Sequence, residues 1–315
     1  MSTLLAFEIP VTDNTLDDTG QTSIVHTSFE TDRLDPTRLE SAHSLPLRQF
    51  RLLAASPRRL VHQACDDGTQ QVHLLQVDAA VCLELDLPPG SRYRLTSGLP
   101  EGLYVDHEPA VLNTVLESAM GGPLRIVSRR GFSLELVSRR MPDGSAARRP
   151  GTTVDAPSEQ VVRQLLDIAR SLWITPAATP RRRTPASHVL EVVEQVLAEQ
   201  PYGVLHPSDF ATPARISVRS LERALQRAYA MGPKRWITNT RMNTAHRHLR
   251  DPGPDDRTVA QIARRCGFLH AGRFSKEYRA LFGDYPHEVL SPPISSGTVA
   301  PRALTAPLQE APSRP

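Results

Sequence analysis

"TVAQIARRCGFLHAGRFSKEYRALFGDYP", from Thr258 to Pro286, is the stretch that decides the fold. Val259, Ile262, Ala263 and Cys266 recur at i, i+3, i+4 and i+7, the spacing of one buried helical face. Thr258 and Gln261 read as T-x-x-Q, a capping box that starts the helix at Val259. Gly267 stands where a left-handed residue ends a helix at low cost. Phe268 plugs the corner, and a second helix from about His270 turns Phe274, Tyr278 and Leu281 inward. Two short helices joined by a glycine turn predict a helix-turn-helix, with the glycine aiming the second helix steeply away from the first. That helix turns His270, Ala271, Arg273, Ser275 and Lys276 outward. Small and polar side chains with two cations suit a reader of the major groove. Gly272 has two readings: close approach to a base pair or phosphate, or a weak helix start.

A similar pattern lies upstream in "HPSDFATPARISVRSLERALQRAY", His206–Tyr229. Phe210, Ala211, Ile216 and Leu221 supply the apolar positions, and Ser217 can cap the second helix. Its outer face carries Arg219, Ser220, Glu222, Arg223 and Arg227. Between the two patterns, "PKRWITNTRMNTAHRHL" opens on Pro233, a first-turn residue. Its expected buried stripe is Trp236, Ile237, Thr240, Met242, Ala245 and Leu249. Trp236 and Tyr278 share helical spacing with other apolar residues, which argues for core packing over stacking on nucleic-acid bases.

With these residues in view, 188–290 resembles the DNA-binding domain of the AraC/XylS family of bacterial transcription regulators. The matching stretches are "RMNTAHRHL", "VAQIARRCGF" and "RFSKEYRALFG", followed by Pro286. The resemblance implies that Ile262, Ala263, Gly267, Phe268, Phe274 and Pro286 build the second motif. It also implies that Ser217 and the two outward faces, Gly272 included, contact DNA. The family's usual architecture implies a cupin-like sensor and dimerisation domain ahead of the helices. Double-stranded promoter or operator DNA is then the partner, with a small-molecule effector in the N-terminal domain, a second copy as homodimer partner, and contact with RNA polymerase. "ETDRLDPTRLESAHSLPLRQFRLLA" is weakly similar to the opening of such sensor domains. Two departures stand out. Arg215 occupies the place of the usual glycine in the first motif, at a cost of about 1 kcal/mol if the backbone is left-handed. Pro213 should kink or shorten the helix before it, which leads the first motif either to sit differently on DNA or to contact mainly phosphates.

The N-terminal half reads differently. "QVHLLQVD", "AVCLELDLP" and "LRIVSRRGFSLELVSRR" are short Val- and Leu-rich runs, the last with a turn at Arg130-Gly131. Breaks at "LPPGS" and "LTSGLPEG" separate them, so an antiparallel barrel or sandwich is expected. One helix is expected at "DPTRLESAHSL". A later amphipathic helix at 158–173, capped by Ser158, packs either on its own barrel or on a second subunit. The expected fold class is α+β and multidomain: a cupin-like antiparallel β sensor, then an all-α domain with two helix-turn-helix motifs joined by a long helix. The expected boundaries are a flexible lead at 1–26, a sensor at 27–141 and a linker at 142–185 holding the amphipathic helix. The DNA-binding domain follows at 186–290, with its motifs at about 207–228 and 258–281, and then a Pro-rich tail at 291–315.

Charge agrees with this division. Residues 1–150 carry 15 Arg against 19 Asp and Glu, a net of −4, whereas 181–290 carry 18 Arg and Lys against 11 acids, a net of +7. A basic C-terminal third points to a polyanion. No run of about 18 apolar residues suggests a membrane span. The first residues lack the pattern of a secretory signal, and three cysteines without a C-x-x-C pair suit a reducing cytoplasm. His62, His73, His107 and Glu108 offer metal ligands, but no H-x-H or H-E-x-x-H pair organises them. The sequence therefore predicts no metal, no cofactor and no catalytic residue. The competing reading is a metal- or small-molecule-processing barrel enzyme with a helical appendage.

Overall fold

The computed structural model describes residues 25–31, 45–55, 59–97, 101–139, 159–178, 185–200, 202–203, 205–253 and 258–290. The expected helix at "DPTRLESAHSL", the Ser158 cap and the Pro-rich tail lie outside them. The strands are β1 (Val25–Thr31), β2 (Leu47–Leu52), β3 (Arg59–Asp66), β4 (Gln70–Asp78), β5 (Val81–Leu87) and β6 (Ser91–Ser97). They continue with β7 (Leu103–Val105), β8 (Glu108–Pro109), β9 (Leu116–Ser118), β10 (Gly122–Ser128) and β11 (Phe132–Arg139). The helices are α1 (Glu159–Ile174), α2 (Pro185–Glu199), α3 (Pro207–Ala211) and α4 (Val218–Tyr229). They end with α5 (Pro233–Arg250), α6 (Val259–Arg265), α7 (Ala271–Phe282) and α8 (Pro286–Val289). Among the described residues, no helix is long and apolar enough to cross a membrane.

The strands form two antiparallel sheets, ordered β1-β3-β4-β11-β6-β9 and β2-β5-β10-β7-β8. The three runs read from sequence are β4, β5 and, for the last, β10 and β11 joined by the expected turn at Arg130-Gly131. Side-chain alternation explains the layering. On β4, Leu75 and Val77 face the apolar interior between the sheets, while Val72 and Leu74 face outward onto α1. Leu165, Ile168, Ala169 and Leu172 of α1 complete that outer layer, so the amphipathic helix packs on its own sheet. On β5, Leu83 and Leu85 fill the interior, while Cys82 faces a second layer with Val189, Leu190 and Val193 of α2. Both faces of β5 are thus covered, which is why it reads as a near-continuous apolar run.

The helical half is joined to the second sheet by polar contacts of an ordered kind. β2 is an edge strand, and Asn243 of α5 completes it: Leu52 N–H donates to Asn243 Oδ1 at 2.8 Å, and Asn243 Nδ2 donates to Leu52 O at 2.9 Å. Asn239 Nδ2 donates to Leu53 O at 2.6 Å. The two amides take the place of a neighbouring strand, which satisfies an otherwise open edge. Beside them Glu194 of α2 binds Arg51 Nη2 at 3.0 Å and Arg125 Nη2 at 2.5 Å, and accepts from the Tyr229 hydroxyl at 2.6 Å. Burial alone would raise the Glu194 carboxyl; Arg51 and Arg125 hold it down to about 2.

Candidate nucleic-acid interface

Thr258 caps α6 as the sequence predicts, accepting from Gln261 N–H at 3.2 Å. The reciprocal half differs: the Thr258 hydroxyl donates to Gln261 Oε1 at 2.9 Å. At the other end, Gly267 has φ +83°. Its N–H bonds Arg264 O at 3.0 Å and the Phe268 N–H bonds Ala263 O at 2.9 Å, which is the Schellman arrangement. A Cβ on Gly267 would stand 3.1 Å from Arg241 Nη1. Phe268 then packs on Phe274 with ring centroids 5.0 Å apart. Ile262, Ala263 and Cys266 are buried, as are Phe274, Tyr278 and Leu281 across the turn. Pro286 is buried at the first position of α8. The six residues assigned to the build of this pair thus lie in or against its core, apart from Gly267, which makes the turn.

The first pair uses the same turn. Arg215 has φ +54°, its N–H bonds Thr212 O at 3.0 Å, and the Ile216 N–H bonds Ala211 O at 3.1 Å. Arginine therefore occupies the left-handed position that Gly267 fills downstream. The helix before it stops at Ala211, ahead of Pro213, so the proline shortens the element instead of kinking it. Ser217 accepts from Ser220 N–H at 3.2 Å and caps α4.

The two outward faces lie where the sequence puts them. Ser217, Arg219, Glu222, Arg223 and Arg227 are exposed, and Ser220 is half-buried. His270, Ala271, Gly272, Arg273 and Lys276 are exposed, and Ser275 is half-buried with its hydroxyl on Ala271 O at 3.0 Å. Arg273 pairs with Glu277 through Nε at 2.7 Å while remaining 71% exposed. A Cβ on Gly272 would meet nothing within 4 Å, so the start of α7 is open to a close approach. Helix α5 carries both pairs: Trp236 packs edge-on against Phe210 of the first, and His246 Nδ1 meets the Tyr278 hydroxyl of the second at 2.5 Å.

Sequence reasoning passed over Leu269 and Val218. Leu269 is 86% exposed just before the outward face of α7, and Val218, at 38%, opens α4. Their signal is position alone, because a large apolar residue in a turn reads as core. Sequence also missed what flanks α4. Arg129 donates to Gln226 O at 2.8 Å and to Arg227 O, capping the helix's C-terminal carbonyls from the sheet side. Ser220, Arg223 and Arg227 border a cavity of about 310 Å³ whose far wall is Tyr104 and His107.

The histidines considered as metal ligands are divided. His62 and His73 stack inside the sandwich, ring centroids 5.7 Å apart, while His107 lies in the β7–β8 turn against Arg125. Among the described residues, no group of three or more His, Cys, Asp or Glu could hold a metal ion.

Comparison with known proteins bears on the same helices. A helix-turn-helix domain family model matches residues 210–291. A probable thc operon regulatory protein of Rhodococcus erythropolis is 39% identical over 93 residues, 30% of this chain and 27% of that one. A XylDLEGF operon transcriptional activator of Pseudomonas putida is 36% identical over 77 residues, 24% of each chain. The chain thus spans about a quarter of the length of these curated relatives. A probable AraC family transcriptional regulator from Rhodopseudomonas palustris CGA009, of known structure, is 31% identical over 33% of this chain and 94% of its own, with a TM-score of 0.30. Residues 210–291 thus carry a helix-turn-helix domain, and its similarity to operon activators agrees with the AraC/XylS resemblance read from the sequence.

Proposed function

We propose that this protein regulates transcription by binding duplex DNA in a sequence-specific manner. The observation that carries the proposal is the pair of outward faces on α4 and α7, both solvent-open, cationic and set on one long helix. Each is the second helix of a pair with the same left-handed turn, which supports two helix-turn-helix readers on one rigid unit. Such readers would enter successive major grooves on one face of DNA, about 34 Å apart. Exposed Arg219, Arg223 and Arg227 would hold phosphates, with base reading concentrated at His270, Ala271, Gly272 and Arg273. The barrel enzyme reading has no support from relatives that are described as operon regulators.

In this reading 27–141 is a cupin-like sensor and 186–290 the DNA-binding domain, the protein works in the cytoplasm, and a small-molecule effector, a second copy and RNA polymerase are its further partners. Selection of bound sequences from a random DNA pool, repeated with two variants and a salt titration, tests the assignment. Arg273→Ala should relax preference at one or two positions and cost about 1–3 kcal/mol on the preferred site. Arg227→Ala should weaken all sequences alike and reduce the salt slope by about one unit. An unchanged preferred sequence in Arg273→Ala, together with an altered one in Arg227→Ala, would reverse the roles.

A further inference from the structure

We propose that the cleft between the β2-β5-β10 face and helices α2 and α5 binds a small organic anion, a carboxylate or a phosphate ester. The cleft has a volume of about 530 Å³, within the range of small-ligand sites, and its walls come from both halves of the chain. Charge is the first argument. Arg48, Glu84, Arg125, Glu194 and Arg51 form one chain of ion pairs, at 3.4, 2.5, 2.5 and 3.0 Å in turn. Three guanidiniums share two carboxylates, so the chain carries one excess positive charge in a partly desolvated place. Arg241 and Arg247 of α5 face it across the cleft, against Glu191 and Asp106, which leaves the wall as a whole cationic.

Unsatisfied donors are the second, independent argument. Arg51 Nε, Arg125 Nε and Trp236 Nε1 are buried N–H groups without a hydrogen-bond partner, and His107 Nδ1 is a fourth buried polar atom in the same condition. All four belong to residues that line this one cleft. Buried polar groups are rarely left unpaired; these four are enclosed as they stand and would gain acceptors by a small turn of their side chains toward an anion in the cleft. An anion with several oxygens answers both the charge and the donors, through charge-assisted bonds to the guanidiniums. The class is limited further by the remaining wall. Gln49, Gln195, Thr240 and Thr244 share the remaining wall with Pro123, Leu197, Ala198 and Trp236, so it suits a compact acid that carries both polar and apolar parts. The inference does not depend on DNA binding.

Calorimetric titration of the full chain with citrate and with inorganic phosphate, at ionic strength held constant with chloride, tests it. One saturable site per chain is expected for at least one of the two, and the tighter probe identifies the chemistry as carboxylate or phosphate. Arg48→Gln/Arg247→Gln should weaken that binding at least tenfold while the unliganded melting temperature stays close to that of the parent. Should the double variant fail to fold, Arg48→Gln alone serves, because that side chain is 61% exposed. Arg223→Ala/Arg273→Ala, which strips guanidiniums from the outward faces, should leave the anion's affinity within twofold. The proposal is overturned if neither probe binds more tightly than chloride. It is equally overturned if the cleft variant keeps the affinity while the outward-face variant loses it.

Discussion

Arg215 and Gly267 hold the same backbone conformation in equivalent turns, and only one of them is suited to it. A side chain with Cβ resists positive φ, so Arg215 at +54° costs about 1 kcal/mol that a glycine would not. The side chain is exposed and no core depends on it. Arg215→Gly should therefore stabilise the protein by about 0.5–1 kcal/mol. Gly267→Val should do the reverse, by about 1–3 kcal/mol, because strain at +83° adds to the crowding of Arg241. Denaturant melts of the two variants beside the parent decide the matter, and shifts of the same sign would defeat the argument. The signal for Gly267 was legible in sequence because glycine after a periodic run has a mechanism. The left-handed arginine was legible only as a departure from the family's pattern, since arginine itself says nothing about φ.

At the scale of elements, the strands that sequence located are those whose side chains are apolar on one or both faces, such as β5 and β11. The buried stripe of α5 was read correctly at Trp236, Ile237, Met242, Ala245 and Leu249, whereas Thr240 is half-buried and lines the cleft. Asn243 and His246 of the same helix are buried and were not foreseen. Polar residues between apolar ones read as solvent-facing, and nothing local announces that Asn243 pairs with Leu52, 191 positions away. That pairing makes a firm prediction. Asn243→Ala removes both amide bonds and leaves the Leu52 N–H and C=O buried without partners, at a cost of about 1–3 kcal/mol. Hydrogen exchange offers the more specific readout. The Leu52 amide should lose protection in the variant while amides in β4 and β11 keep theirs. Uniform loss across all three strands would mean that the bond supports global stability without specifically sealing this edge.

For the whole molecule, the layering of α1, two sheets and the helical half leaves several ionisable groups in the interior, and these set how stability responds to acid. His62 and His73 are 0% and 1% exposed, and desolvation by burial holds them down at about 4 and about 3, against an ordinary 6.5. For His73 the neighbouring His62 adds to the effect. Both rings stay neutral in the folded protein at a pH where the unfolded chain has already bound protons. The unfolded state therefore binds more protons below pH 6.5, and stability falls as the pH drops from there toward 4. The slope should approach about 1.4 kcal/mol per pH unit for each histidine. Glu194 acts in a second, lower window: held down to about 2 from 4.5, it favours the folded state above pH 4.5 and loses that contribution as the pH falls toward 2. Denaturant melts at pH 7.5, 6.5, 5.5 and 4.5 separate the two groups. His62→Leu/His73→Leu should lessen the fall between pH 6.5 and 4.5, leaving the share of His107, which burial also holds down to about 4, and should leave the loss tied to Glu194 in place. A variant whose stability falls as steeply as the parent's above pH 4.5 would place the acid sensitivity outside the stacked pair.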